Sequence, residues 1–136
     1  LIILVNASGQ FQGVAIEKKC QGSVQMKVDP QKMHQVLWDL MLNAGDAAKP
    51  DGSIRIEING VKGEIIIEDS GVGIADEDQD RLFEPFYTTK DKGTGLGLAN
   101  VYANIEAHQG RIYVEPGSLG GARFTIELPE QCRITS

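Results

Sequence analysis

The sequence predicts an α+β fold: a two-layer α/β sandwich in which a mixed, mostly antiparallel sheet carries helices on one face, with one long loop between them. Three observations predict it. Segments of alternating or continuous apolar residues occur in the order ββαββ(α)αββ, the pattern of strands and helices gathered into two layers. The 136 residues, 41% hydrophobic and 24% charged, make one domain large enough to bury a core between those layers. Finally, residues 75–92 exceed the usual connection, and long loops in compact domains are mostly binding loops.

Residues 14–20 and 24–28 read as two strands joined at Gln21-Gly22-Ser23, the second alternating Val24, Met26 and Val28 with Gln25 and Lys27. Asp29-Pro30 reads as an N-cap followed by proline at the first helical position. The helix it opens runs to about Ala48, with Met33, Val36, Leu37, Leu40, Met41, Ala44 and Ala47 on one face. Lys49-Pro50-Asp51-Gly52 stops it. Residues 53–59 alternate again through Ile54, Ile56 and Ile58, and Ile65-Ile66-Ile67 suits a central strand. Residues 76–82 read as a short helix with an acidic first turn. Leu98, Val101, Tyr102 and Ile105 mark a second long helix ending near Gly110. Residues 111–114 and 124–128 are the final strands, around the turn residues Pro116-Gly117 and Gly120-Gly121. The expected division is a linker or N-terminal strand of a longer parent at 1–13, a folded domain at 14–130 and a tail at 131–136.

A net charge of -6 without a basic stripe argues against nucleic acid as partner. Cys20 and Cys132 are far apart and lack zinc-ligand spacing, so both read as reduced thiols of a cytoplasmic domain. The apolar opening at residues 1–5 is far too short to span a bilayer, and no direct membrane contact is expected.

The chemistry is concentrated between Glu68 and Ala99, together with the first helix. Asp69 ends an apolar strand and is followed by Gly71 and Gly73. Further on, Gly93, Gly95 and Gly97 open a helix. Glycine lets backbone approach a ligand closely, and a helix N-terminus presents free N–H groups to anions. The combination suggests a nucleotide, with the carboxylate at one end and phosphates at the other. On the first helix Asp39, Asn43 and Asp46 lie at i, i+4 and i+7, one polar stripe beside the apolar face. Such a stripe is either a solvated face or a set of oxygen ligands suited to Mg²⁺.

Four motifs in order resemble the catalytic, ATP-binding domain of sensor histidine kinases, in the superfamily shared with Hsp90, DNA gyrase and MutL (the Bergerat fold). The stretch from Gln35-Val36-Leu37 to Asn43-Ala44 resembles its N box, and Asp69-Ser70-Gly71-Val72-Gly73 its first glycine box. Phe83-Glu84-Pro85-Phe86-Tyr87-Thr88-Thr89-Lys90 resembles the F box, and Gly93-Thr94-Gly95-Leu96-Gly97-Leu98 the second glycine box. His108-Gln109-Gly110 and Gly121-Ala122-Arg123-Phe124 fit its closing pattern. The resemblance covers residues 14–129 and is nearest to the nitrogen-regulation type.

The resemblance implies an ATP lid between the boxes and a role for each motif. Asn43 would hold Mg²⁺ and Asp69 would accept a hydrogen bond from the adenine amino group. Ala47, Gly71, Gly73 and Ile74 would line the base. Gly93, Thr94, Gly95, Leu96, Gly97 and Leu98 would hold the phosphates. Lys90 either meets the γ-phosphate or stays solvated. Phe83 is expected as a core anchor of the lid and Phe86 as a contact for a partner domain. Three positions depart from the pattern. Asp39 stands where many members carry Asn, and resembles the water-activating acid of Hsp90-like ATPases. Asp46 replaces a basic residue, and Ala122 a threonine near the base.

No G-x-x-x-x-G-K-[ST] or dinucleotide fingerprint is present. Neither is a phosphoacceptor His followed by an acidic residue and proline; His34 and His108 are expected to be structural. The expectation is an excised kinase domain, binding ATP and ADP with Mg²⁺. It would pass the γ-phosphoryl group to a histidine on a separate dimerisation domain, and so serve a response regulator indirectly. Two rivals remain: an ATPase or serine kinase on the same fold, and a nucleotide sensor without catalysis.

Overall fold

The computed structural model describes residues 15–21, 28–48, 52–59, 62–71, 73–75, 81–84 and 97–129. The expected strand at 24–27, most of the short helix at 76–82 and the lid residues 85–96 lie outside them. So do residues 1–14 and 130–136.

Seven elements follow one another: β1 (Ala15–Gln21), α1 (Pro30–Ala48), β2 (Ser53–Asn59), β3 (Glu64–Asp69), α2 (Gly97–Ala107), β4 (Arg111–Pro116) and β5 (Ala122–Glu127). They build a five-stranded sheet in the order β1-β2-β3-β5-β4. β1 runs parallel to β2, and the other neighbours are antiparallel. The mixed, mostly antiparallel sheet and its two helices match the predicted class. Val28 sits in a bend beside the cap of α1, and β1 pairs with β2 across the whole of α1. A parallel pair needs such a crossover, and local alternation carries no sign of it.

α1 begins as the sequence requires. Asp29 Oδ1 accepts the N–H groups of Gln31 at 3.0 Å and Lys32 at 3.1 Å, an N-cap whose loss costs about 1 kcal/mol. Met33, Val36, Leu37, Leu40, Met41 and Ala44 are buried against Ile54, Ile56 and Ile67 of the sheet. Truncating a side chain such as Leu40 there would cost about 2–5 kcal/mol. In α2, Val101 and Ile105 are buried, but Tyr102 is 39% exposed. Its ring lies at the core's edge, 5.6 Å from the centre of Phe83. Phe83 also meets Phe124 edge-on at 6.3 Å, which makes it the core anchor it was expected to be.

α2 ends with Gln109 in the left-handed region, at φ 61°, and the Gly110 N–H returning to the Ile105 carbonyl at 3.0 Å. His108 then ties the two helices together. Its Nε2 accepts the Asp29 N–H at 3.0 Å while Nδ1 donates to the Asn104 carbonyl at 2.8 Å. This imidazole is structural. His34 lies exposed on α1.

Because β3 is the middle strand, it is buried on both faces, from Ile65 to Asp69. Its alternation sends Ile65, Ile67 and Asp69 toward the helices and Ile66 and Glu68 to the opposite face. The strand therefore ends on two consecutive buried carboxylates facing opposite ways, Glu68 at 3% and Asp69 at 2% exposure.

Candidate functional site

The candidate site gathers where β3 ends. Asp69 Oδ1 accepts the Gly71 N–H at 2.9 Å and the Ala122 N–H at 3.4 Å, while its backbone carbonyl accepts the Gly121 N–H at 3.1 Å. These bonds fix the carboxylate in a water-poor place, where backbone amides offset much of the cost of burying it.

Glycine is required here by space. A Cβ on Gly71 would stand 2.3 Å from the Ala47 carbonyl oxygen, so the turn after β3 is pressed against the last turn of α1. A Cβ on Gly121 would stand 2.1 Å from Asp69 Oδ1 and 2.7 Å from the Gly71 nitrogen. Gly73 needs glycine for a different reason, its φ of 78°; a Cβ there would make only ordinary contact, at 3.8 Å, with Gly120 and Gly121. Two parts of the chain thus close around one carboxylate, the turn after β3 and the β4–β5 connection, and the end of α1 presses on the first of them.

Asn43 lies one turn before Ala47 on α1, half-buried, so that the two share a side of the helix. Asp39, a further turn back, is also half-buried. Burial pushes its carboxyl above the ordinary carboxylate value, and a hydrogen bond from Gln35 Nε2 at 2.9 Å partly offsets this. The predicted rim of polar groups is present at Asp39 and Asn43, while the side chain of Asp46 lies outside the described set. Ala47 was expected within the apolar face; it is half-buried, because it borders the Gly71 turn. Ile74 packs against the core.

Gly97 opens α2 in open space, and Leu98 packs on the core. Lys90, Gly93, Thr94, Gly95, Leu96 and Phe86 lie outside the described residues. Among those that are described, no group of three or more His, Cys, Asp and Glu is placed to hold a metal ion. No helix among them is long and apolar enough to cross a membrane.

Sequence reasoning placed Ala122 near the base through the resemblance, but missed the bond its amide makes to Asp69, the part played by Gly121, and Glu68 as a neighbour of the site. Gly120-Gly121 reads as a turn pair, and nothing local says that the second glycine touches a residue some fifty positions earlier. The signal available was the pairing of two glycine-bearing turns with a strand-end acid.

A middle strand ends on an amide-held carboxylate, beside a helix whose rim carries Asn and Asp. The family model described as "Histidine kinase-, DNA gyrase B-, and HSP90-like ATPase" matches residues 28–131, and the chain belongs to this family. Among its relatives is the sensor histidine kinase ZraS of Escherichia coli O157:H7, 43% identical over 109 residues, which are 77% of this chain and 23% of that protein. Sporulation kinase E of Bacillus subtilis is 35% identical over 132 residues, 94% of this chain and 18% of that kinase. The chain therefore spans less than a quarter of either relative's length. A nucleotide-free form of the catalytic domain of histidine kinase ThkA superposes with a TM-score of 0.81 at 29% identity, covering 93% of this chain and 86% of that one. Homology to sensor histidine kinases and the α+β class are thereby established.

Proposed function

We propose that this chain binds ATP with Mg²⁺ and passes the γ-phosphoryl group to a histidine on a separate dimerisation domain, from which a response regulator is served. The observation that carries the reading is the Asp69–Gly71–Ala47–Gly121 junction. It would present an acceptor to the adenine amino group at a junction that no residue larger than glycine allows at two positions. A neutral purine suits it, since a buried carboxylate fixed by amides needs a donor and repels anions. The likeness to sensor kinases supports the phosphoryl-transfer chemistry; a cytoplasmic setting and the nitrogen-regulation subtype belong to this proposal too.

Asn43 supplies a hard oxygen at a half-buried rim, a donor that fits Mg²⁺ completed by phosphate oxygens and water. The metal would neutralise phosphate charge, the main demand of phosphoryl transfer. The chain's own residues do the rest: Asp69 orients the base, the Gly71 and Gly73 turn admits it, and Gly93, Thr94, Gly95, Leu96, Gly97, Leu98 and Lys90 would hold the phosphates.

Mixing the chain with Mg-ATP and a dimerisation domain of the family should yield acid-labile phosphohistidine; its absence with a competent acceptor would refute the proposal. A second reading is favoured by the place of Asp39, half-buried one turn before Asn43 and held by Gln35, where burial pushes its carboxyl above the usual range. A half-buried carboxylate of raised basicity can orient water, and the chain would then hydrolyse ATP unaided. Hydrolysis by the chain alone that disappears in Asp39→Asn would support that reading.

A further inference from the structure

We propose that Glu68 is a positioning residue of the purine site, acting through the β4–β5 connection on Asp69. The inference rests on the purine reading above and adds a residue on the other face of the sheet.

Glu68 and Asp69 are neighbours on β3 and therefore face opposite ways. Asp69 faces the helices. Glu68 is almost wholly buried on the outer face, where it serves no apolar core. A carboxylate in such a place is costly unless its oxygens are engaged. Oε1 accepts the Ser118 N–H at 3.2 Å, and the Ser118 hydroxyl lies 3.3 Å from Oε1 and 3.2 Å from Oε2. Arg55 Nη1 stands 3.7 Å from Oε2 and Arg123 Nε 3.7 Å from Oε1. Among the described residues Arg123 Nε has no hydrogen-bond partner, so this arginine contributes charge, and Ser118 supplies directional bonds.

Ser118 belongs to the five-residue connection 117–121 between β4 and β5. At its other end the connection gives the Gly121 N–H to the Asp69 carbonyl, and just beyond it the Ala122 N–H reaches Asp69 Oδ1. The connection is braced within itself, the Gly117 N–H donating to the Gly121 carbonyl at 2.8 Å. One short loop is thus gripped from both faces of a single strand. Glu68 holds its start from the outer face. Asp69 receives its end on the inner face. Releasing Ser118 frees the amides that aim the purine acceptor.

The test measures ADP and inosine diphosphate affinity by calorimetry on the 136-residue chain, for Glu68→Ala, Glu68→Gln and Ser118→Ala, each with and without Asp69→Asn. Inosine lacks the exocyclic amino group that Asp69 reads. Glu68→Ala should weaken ADP about tenfold, the scale of one buried charged hydrogen bond, and flatten the preference for ADP over the inosine analogue. Glu68→Gln keeps an oxygen for Ser118 and should recover most of the loss. On the Asp69→Asn background, Glu68→Ala should cost almost nothing more, the sign of two residues acting through one route. Amide exchange at Gly121 and Ala122 should quicken in Glu68→Ala without nucleotide present.

If Glu68→Ala does not fold, Glu68→Gln and Ser118→Ala carry the test. Wild-type discrimination in Ser118→Ala with unchanged Gly121 exchange overturns the proposal. So do losses equal for both nucleotides and additive with Asp69→Asn, which mark a merely structural role. Should Asp69→Asn weaken ADP while the Glu68 variants behave as wild type, this proposal fails alone. Should Asp69→Asn leave ADP unaltered, the purine reading falls and takes the proposal with it.

Discussion

The two ends of β3 use glycine in the same way for different purposes. At the far end, a Cβ on Gly110 would meet the Glu127 carbonyl oxygen at 2.8 Å and the methyl groups of Ile105 and Leu128 at 3.2 Å. That crowding is helix termination and packing: apolar neighbours, a carbonyl, and an exposed Arg111–Glu127 ion pair bordering a shallow depression with Lys62 and Glu64. At the Asp69 end Gly71 is pressed by the Ala47 carbonyl and methyl, but the atoms that crowd Gly121 are the Asp69 carboxylate and carbonyl and the Gly71 amide nitrogen. Tight approach to a glycine does not mark a site. The chemistry of what crowds it does.

The largest effect that would break this contrast belongs to Gly121. Gly121→Ala drives a methyl into Asp69, with no flexible atom able to give way, and should cost about 3 kcal/mol, the upper range for overpacking. Melting should fall by on the order of 10 °C, and ADP affinity should vanish with it. A variant that binds ADP normally would show that the junction is not the site. Asn43→Ala comes next: Mg-dependent phosphotransfer should fall about a hundredfold or more, with adenine binding partly kept. Equal activity would remove Asn43 from its role. Gly110→Ala sharpens the contrast from the far end. It should lose about 1–2 kcal/mol of stability while ADP affinity in the folded fraction stays unchanged, since its clash involves only packing atoms.

Asp39 gives a smaller, pH-dependent effect. Its folded pKa is raised, so the folded state holds the proton more tightly than the unfolded chain does. Its contribution to stability is present below the ordinary value of 3.8 and is lost as pH rises through the raised one. Asp39→Asn should therefore gain stability relative to the wild type across that acid window, read from denaturant midpoints at successive pH values. An unchanged difference would mean that burial is not straining this carboxylate. Smallest of all, Arg111→Ala should leave both melting temperature and ADP affinity unresolved from the wild type, because an exposed pair is screened.

Much of this molecule was legible in the sequence where the cause is local. The Asp29 cap and Pro30 mark the start of α1, and its apolar period names the residues that are buried. Alternation in β2 and the isoleucine run of β3 place both strands, the second in the middle of the sheet. Asp69 and Gly71 stood out because an acid and glycines ending an apolar strand are chemically unusual. What was hidden was non-local. The parallel pairing of β1 with β2 depends on the crossover through α1, and Gly121 and Glu68 acquire meaning only when β4–β5 folds back onto β3. Tyr102 kept its helical spacing yet lies exposed, since Phe83 fills the space beside it.

The most direct measurement is a calorimetric titration of Asp69→Asn with ADP, where neither the γ-phosphate nor the acceptor domain enters. An amide presents a donor where adenine needs an acceptor, and the affinity should drop by about tenfold to a hundredfold, with ATP weakened alike. ADP binding at wild-type strength in a folded Asp69→Asn chain would contradict the account at its centre.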